Sequence, residues 1–360
     1  MQVIAIVNQK GGVGKTTTTC NLGAALADLG RRILLVDLDA QAHLTFHLGV
    51  DNSTLETSMY DVMTGRASVA EALIHRGERL HLVPSHIDLA GAEIELVTQL
   101  ARERILHDAL AACRDDYDYV LIDCPPSLGL MTLNALVAAN DILITLQPHV
   151  LALQGISKLL ETAALVHDRL NSRLHIMGVV FCMFDGRTTL SSEVLADVSG
   201  YFSRAAEGQS LMRNTRVYET RIRRNIKLAE APGFGQTILE YDASSHGAED
   251  YRQLADEFLG NQRTETETNK PAAQLAAEVL PQDEPESAAE APSPEIQPAA
   301  PSPENSTSSA EPPQAERLAA SAETPCSDGE GSQALDAAPP IGQEQQTAAR
   351  EDSSHGPMAV

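Results

Sequence analysis

No run of apolar residues in this 360-residue chain reaches the roughly 18 needed to cross a bilayer, so nothing in it reads as a membrane span. Cysteine is scarce as well. Cys20, Cys113, Cys124, Cys182 and Cys326 form no CxxC pair and no regular spacing, which excludes a disulfide framework and a paired-cysteine metal or iron–sulfur site. Four of the five fall in segments that read as helix or strand, as buried thiols in a reducing compartment would. No signal peptide is read, because the first residues already form a strand. A cytoplasmic location is the expectation.

Basic residues are few: 26 Lys and Arg against 50 Asp and Glu, a formal charge of −24. Spread evenly, that would argue against a nucleic-acid partner. It is not spread evenly. From Asn261 onward Ala, Pro, Glu, Ser and Gln dominate and aromatic residues are absent. This segment holds 14 of the 19 prolines, with 18 acidic and 4 basic residues, so it carries −14 and leaves −10 for residues 1–260. Such a composition cannot bury enough apolar surface to offset chain entropy. The expectation is one folded domain, 1–260, followed by a disordered acidic tail, 261–360.

Within the first 260 residues, short apolar runs alternate with amphipathic stretches. Strands are expected at Gln2–Val7, Arg32–Val36, Leu80–Val83, Tyr119–Ile122, Ile142–Leu146 and Ile176–Cys182. Helices are expected over Thr16–Leu29, Ala101–Cys113, Leu130–Ala139, Leu153–Leu170 and Gly247–Leu259. Near-continuous apolar strands separated by helices imply a parallel sheet covered on both faces. The right-handed crossover then makes the fold class α/β, a doubly wound, mostly parallel sheet.

Between the first strand and first helix lies Lys10-Gly11-Gly12-Val13-Gly14-Lys15-Thr16-Thr17. The glycines let the backbone curl so that its N–H groups face phosphate oxygens, and the following helix adds the positive end of its dipole. In such a loop Lys15 bridges the terminal phosphates of ATP and the Thr16 hydroxyl ligates Mg2+. Gly11, Gly12, Val13, Gly14 and Thr17 complete the cradle. The sheet is thereby expected to be of the P-loop NTPase type.

The loop has Gln9 where the common pattern has glycine, and an early lysine, Lys10. In this it resembles the deviant Walker A class, KGGxGK[ST], shared by ParA, Soj, MinD and the nitrogenase iron protein. The resemblance implies that Lys10 reaches across a nucleotide-sandwich homodimer to the partner's phosphates. It implies also that Asp39, in Val36-Asp37-Leu38-Asp39-Ala40-Gln41, positions the attacking water, with Asp37 beside the Mg2+ region; the alternative for Asp39 is a cap on the following helix. Ala40 stands where the family commonly has proline. Tyr119–Asp123 followed by Cys124-Pro125-Pro126-Ser127 looks like the family's Walker B strand and switch segment, making Asp123 a nucleotide and Mg2+ residue. Cys124 reads as a small buried residue rather than a nucleophile.

Four stretches resemble the ParA/Soj branch in particular: Leu89–Leu96, Met183–Thr188, Arg224–Pro232 and Gly247–Glu249. The resemblance covers residues 1–260 and implies a short, chromosomal-type partitioning ATPase. Its ATP-bound dimer would bind double-stranded DNA non-specifically on the nucleoid, and a ParB-type activator would stimulate hydrolysis and release. Intrinsic hydrolysis would be slow, since a switch must keep its ATP state until the partner arrives. Arg187, Arg213, Arg216, Arg221, Arg223, Arg224 and Lys227 are the candidate DNA contacts, concentrated in an otherwise acidic domain. Pro232, at the end of the Arg224–Pro232 segment, is a nucleotide contact by resemblance only. Two departures touch the partner-facing surface: a longer stretch around Ala205–Met212, and His149–Gln154 in place of a YALEG-like string.

Other readings are weighed against this one. His43 and His47 have i,i+4 spacing, but no third ligand follows at a sensible distance, so a metal there is not expected. A MinD-like membrane ATPase shares the fold, yet it docks through a basic amphipathic C-terminal helix, and here both the last helix and the tail are acidic. A ParA-like protein carrying a plasmid or a protein cluster would have the same ATP site and DNA surface.

Overall fold

The computed structural model describes residues 1–206 and 210–268. In chain order the elements are β1 (Gln2–Val7), α1 (Lys15–Asp28), β2 (Ile33–Asp37), α2 (His43–His47), α3 (Met59–Met63), β3 (Ile74–His75), β4 (Leu80–Val83), α4 (Leu89–Glu95), α5 (Ile105–Ala111) and β5 (Tyr119–Asp123). There follow α6 (Leu130–Ala138), β6 (Asp141–Leu146), α7 (Ala152–Arg169), β7 (His175–Phe181), α8 (Thr189–Ala206), β8 (Arg216–Val217), α9 (Ile226–Glu230), α10 (Ile238–Tyr241) and α11 (His246–Thr268).

These strands make one sheet in the order β3-β4-β2-β5-β1-β6-β7-β8. Every pairing is parallel except the short β3 against β4 at one edge. The period-2 geometry of a strand explains why runs such as Val3-Ile4-Ala5-Ile6-Val7 are apolar throughout. Val3, Ala5 and Val7 enter the core shared with α3–α8, while Ile4 and Ile6 enter the opposite core with α1, α10 and α11. Leu34 and Val36 divide from Ile33 and Leu35 in the same way. Both faces are covered, as a doubly wound sheet requires.

The six expected strands and the five expected helices are all present, to within two residues except at two ends. The helix expected over Ala101–Cys113 is shorter, Ile105–Ala111. Ala101 has φ 55°, a left-handed conformation that no helix can run through. The last helix does not stop at Leu259 but continues to Thr268. A single interior glycine, Gly260, costs a helix only about 1 kcal/mol, and the first proline beyond it is Pro271. The first residues of the expected tail thus belong to α11, and 269–360 lie outside the described residues. So does part of the expected longer stretch at Ala205–Met212. Of it, Ala205 and Ala206 close α8, and Leu211 and Met212 are buried in a 3-10 turn.

Among the described residues no helix is long and apolar enough to cross a membrane. The four described cysteines are free and buried.

Candidate nucleotide-binding site

β1 is central in the sheet and delivers the chain to its carboxyl edge, where ligands sit in doubly wound folds. The loop is then pinned at its root. Asn8, itself buried, donates from Nδ2 to the Thr145 carbonyl on β6 at 2.7 Å, and its Oδ1 accepts from the Lys10 amide at 2.9 Å. Gly12 (φ 71°) and Gly14 (φ 92°) take left-handed conformations. At Gly14 a side chain is excluded twice over, since a Cβ would also lie 3.1 Å from the Cys182 Cβ. Val13 is buried between them and anchors the loop, while Gly11 is exposed.

α1 starts at Lys15 with no side-chain cap and no acidic residue in its first turn. The amides of Lys15, Thr16 and Thr17 therefore keep their attraction for an anion. Lys15 is buried, its Nζ 3.3 Å from the Lys10 carbonyl oxygen. Burial lowers its pKa, against the pull of Asp123, Cys124 and Asp39. Lys10 on the same loop is exposed.

Asp37 and Asp123 end neighbouring parallel strands and are register partners. Both are fully buried. Asp123 Oδ2 accepts from the Thr16 hydroxyl at 2.7 Å, and its Oδ1 accepts from Thr19 at 3.4 Å. Asp37 Oδ2 accepts from the Thr45 amide at 2.8 Å and the Thr45 hydroxyl at 2.7 Å. Burial pushes both carboxyls above the usual carboxylate range. For Asp123 the charge of Asp37 adds to this, while Thr16 and Lys15 oppose it.

Asp39 is half-buried at the rim of the same edge, its Oδ1 accepting from the Gln41 amide at 3.0 Å. It does not cap α2: that helix begins after Ala42 without any side-chain cap. The alternative of a capping role is thereby removed. Cys124 is buried with its thiol pushed well up by burial, as a packing residue rather than a nucleophile. His43 is exposed and His47 buried, so the two imidazoles of α2 do not share a site. Among the described residues no group of three or more His, Cys, Asp or Glu is placed to hold a metal.

A hard, oxygen-seeking cation fits a different set. Thr16 Oγ1 and the neighbouring carboxyl groups of Asp123 and Asp37 are oxygen donors, and the Lys15 charge bears on Asp123. Thr16 and Asp123, 2.7 Å apart, are the residues that could hold Mg2+, with Asp37 beside Asp123 on the next strand.

Pro232 lies half-buried in a 3-10 turn (Ala231–Phe234) packed near α2. The chain after it docks on α1 through Ile238, whose amide donates to Asn21 Oδ1 at 2.7 Å. The predicted DNA contacts separate into two kinds. Arg213 and Arg224 are exposed, and Arg187, 91% exposed, pairs with Asp185 at 3.0 Å. Arg221 is half-buried with its guanidinium 5.1 Å over the Phe184 ring, and Arg216 lies in β8. Arg223 and Lys227 are engaged internally, Arg223 with Asp250 and Glu249, Lys227 with Glu230 at 2.9 Å.

Sequence reasoning missed Asn8, Thr19 and Thr45. Only Asn8, a polar residue directly after a buried strand, carried a signal.

A phosphate-cradling loop joining a central parallel strand to its helix, with acidic strand ends beside it, is the defining arrangement of P-loop nucleotide-binding proteins. Comparison with known proteins narrows the class. Residues 1–176 match the family described as AAA domain. The sporulation initiation inhibitor protein Soj of Bacillus subtilis is 46% identical over 261 residues, 72% of this chain and 99% of that protein. The chromosome partitioning protein ParA of Caulobacter vibrioides is 42% identical over 266 residues, 73% of this chain and 96% of that one. A solved structure from Mycobacterium smegmatis, called cobyrinic acid a,c-diamide synthase and holding an ATP analogue and magnesium, is 40% identical. It covers 73% of this chain and 96% of that one, with a TM-score of 0.62. The chain belongs to the ParA/Soj family of partitioning ATPases, within the MinD/ParA superfamily.

Proposed function

We propose that this chain is an ATP-driven partitioning switch that binds Mg2+-ATP at the loop, pairs with a second copy, holds DNA without sequence preference and releases it on hydrolysis. The observation that carries this is the division of labour between two lysines of one loop. Lys15 is buried against its own phosphate cradle, while Lys10 is exposed, its backbone held by Asn8 and its carbonyl facing Lys15. Among the described residues the Lys10 ammonium has no ion-pair partner, so it is free to reach a partner's nucleotide.

In this reading Lys15 and the first-turn amides of α1 hold the phosphates. Thr16 and Asp123 hold the magnesium, which when bound neutralises phosphate charge. Asp39, at the rim and unencumbered by a helix cap, orients the attacking water. A ParB-type activator completes that alignment, and intrinsic turnover is slow. Pro232 and the turn around it border the base. The exposed arginines, doubled in a dimer, supply phosphate contacts and place the protein on the nucleoid. Chromosome partitioning is the role that the names of the relatives favour; a plasmid or protein cargo would use the same site.

Retention on a non-specific duplex tests this, with ATP, ADP and no nucleotide, for wild type, Lys10→Ala and Arg224→Ala. The expected result is retention of wild type with ATP alone, lost in both variants. Wild type that dimerises with ATP yet ignores DNA would overturn the nucleoid reading.

A further inference from the structure

The segment from Tyr218 to Arg224 carries three arginines past the end of β8, at the edge of the sheet. An edge segment this short has few ladder bonds of its own: Tyr218 donates to the Val179 carbonyl at 2.9 Å, Ile222 donates to the Phe181 carbonyl at 2.8 Å and accepts from the Phe184 amide at 2.9 Å, and Arg224 donates to the Phe184 carbonyl at 3.4 Å. The amides of Glu219, Thr220 and Arg223 turn to α11 instead. Glu257 accepts from the amides of Glu219 at 2.8 Å and Thr220 at 2.9 Å, one carboxylate oxygen for each. Asp250 accepts from the Arg223 amide at 2.8 Å and again from its Nε at 2.9 Å and Nη2 at 2.5 Å. Glu249 takes the same guanidinium at 2.7 Å.

Asp250 and Glu257 are seven residues apart, about two turns, and so share one face of α11. Asp250 is only 2% exposed. The helix that carries them is also packed on α1, where buried Tyr251 Oη lies 3.2 Å from Thr18 Oγ1. One rigid element thus grips the helix that starts at the phosphate loop and the segment that bears the arginines.

We propose that Asp250 and Glu257 are positioning residues that clamp residues 218–224 in their DNA-holding shape, with Arg223 the strut of that clamp rather than a phosphate contact. This rests on the DNA-binding reading above. Arg221 and Arg224, on either side of the strut, are the residues whose aim the clamp sets.

The sign of the effect separates this from simple electrostatics. Asp250→Asn and Glu257→Gln each remove a negative charge beside a basic surface, which by charge alone tightens DNA binding. The clamp requires the reverse: ATP-dependent retention weakened at least five-fold in each, with ATP-dependent dimerisation unchanged. Arg223→Lys keeps the charge but loses the fork that meets Asp250, so it should weaken retention like Asp250→Asn, whereas a phosphate contact would tolerate lysine. Amide hydrogen exchange at Glu219, Thr220 and Arg223 should quicken in the carboxylate variants. Should Asp250→Asn fold poorly, Glu257→Gln, at a half-buried position, carries the same test. Equal or tighter DNA retention in the carboxylate variants, or an Arg223→Lys protein that binds like wild type, overturns the proposal. Wild type that ignores DNA in every nucleotide state overturns the DNA reading itself, while unchanged amide exchange overturns the clamp alone.

Discussion

Asp37 and Asp123 stand side by side where burial disfavours charge, and Asp123 feels the charge of Asp37 as well. A carboxyl whose folded pKa is raised keeps its proton in the fold while the unfolded chain ionises from roughly pH 4 upward. The contribution to stability is therefore fully present below that pH and is lost as pH rises toward the raised folded values. Asp123→Asn removes this liability and keeps an acceptor for Thr16. It should stabilise the nucleotide-free protein by about 1–3 kcal/mol at pH 8, less at pH 5, and abolish Mg2+-dependent ATP hydrolysis. Thermal melts at the two pH values and a phosphate-release assay check both halves; a melting temperature that falls at pH 8 would contradict it.

His47 is the opposite case. Burial lowers its pKa to about 4, and its Nε2 is enclosed without a hydrogen-bond partner among the described residues. Here the unfolded chain takes up a proton first, so stability present above pH 6.5 drains away as pH falls from 6.5 toward 4. The full effect is on the order of 3 kcal/mol. His47→Leu should flatten this acid slope in denaturant titrations run from pH 7 to pH 4.5, with little change at pH 7.

At the scale of elements, the loop and α11 are where geometry is least forgiving. Gly14→Ala meets both a left-handed backbone and the Cys182 side chain, so it should cost about 1–3 kcal/mol and weaken nucleotide binding together. Urea unfolding and nucleotide titration of the same variant check it. Tyr251→Phe leaves the packing of α11 on α1 but removes the hydroxyl contact with Thr18, an expected loss of about 1 kcal/mol. The loop was legible because its residue types have little freedom: glycines where the backbone must be left-handed, Lys and Thr where phosphate and metal charge must be met. The short helices α2, α3, α9 and α10 were not predicted as elements, since four or five residues carry no period that distinguishes them from a loop; the 18-residue α8 was missed too, although its buried Val194, Val198 and Phe202 recur at helical spacing. The start predicted for α5 came four residues early: Ala101 takes a left-handed φ that alanine as a residue type does not signal.

At the scale of the molecule, charge is distributed unevenly along the chain. We propose that residues 269–360 are dispensable for the ATPase. A chain ending at Thr268 should melt within about 2 °C of the full one and hydrolyse ATP equally, because a segment rich in Pro, Ala and Glu and without aromatic residues has too little large apolar side chain to add to the core. Its loss of negative charge should also strengthen DNA retention at low salt, an advantage that shrinks as salt rises. A truncated protein that melts far lower would show that the tail packs on the domain.

The sequence by itself determined the doubly wound sheet, the phosphate loop and the two aspartate strand ends, because each is written locally. Strand and helix periods, a glycine pattern and a polar residue closing an apolar run are readable without knowing what lies opposite. Only the tertiary structure decided which arginines are free. Arg223 and Arg224 are neighbours with the same side chain, yet one is held by Asp250 and Glu249 from a helix more than twenty residues on, and the other is exposed. A side chain's chemistry fixes what it can bind, but its partner is fixed by the elements packed against it, and those meet only when the chain has folded.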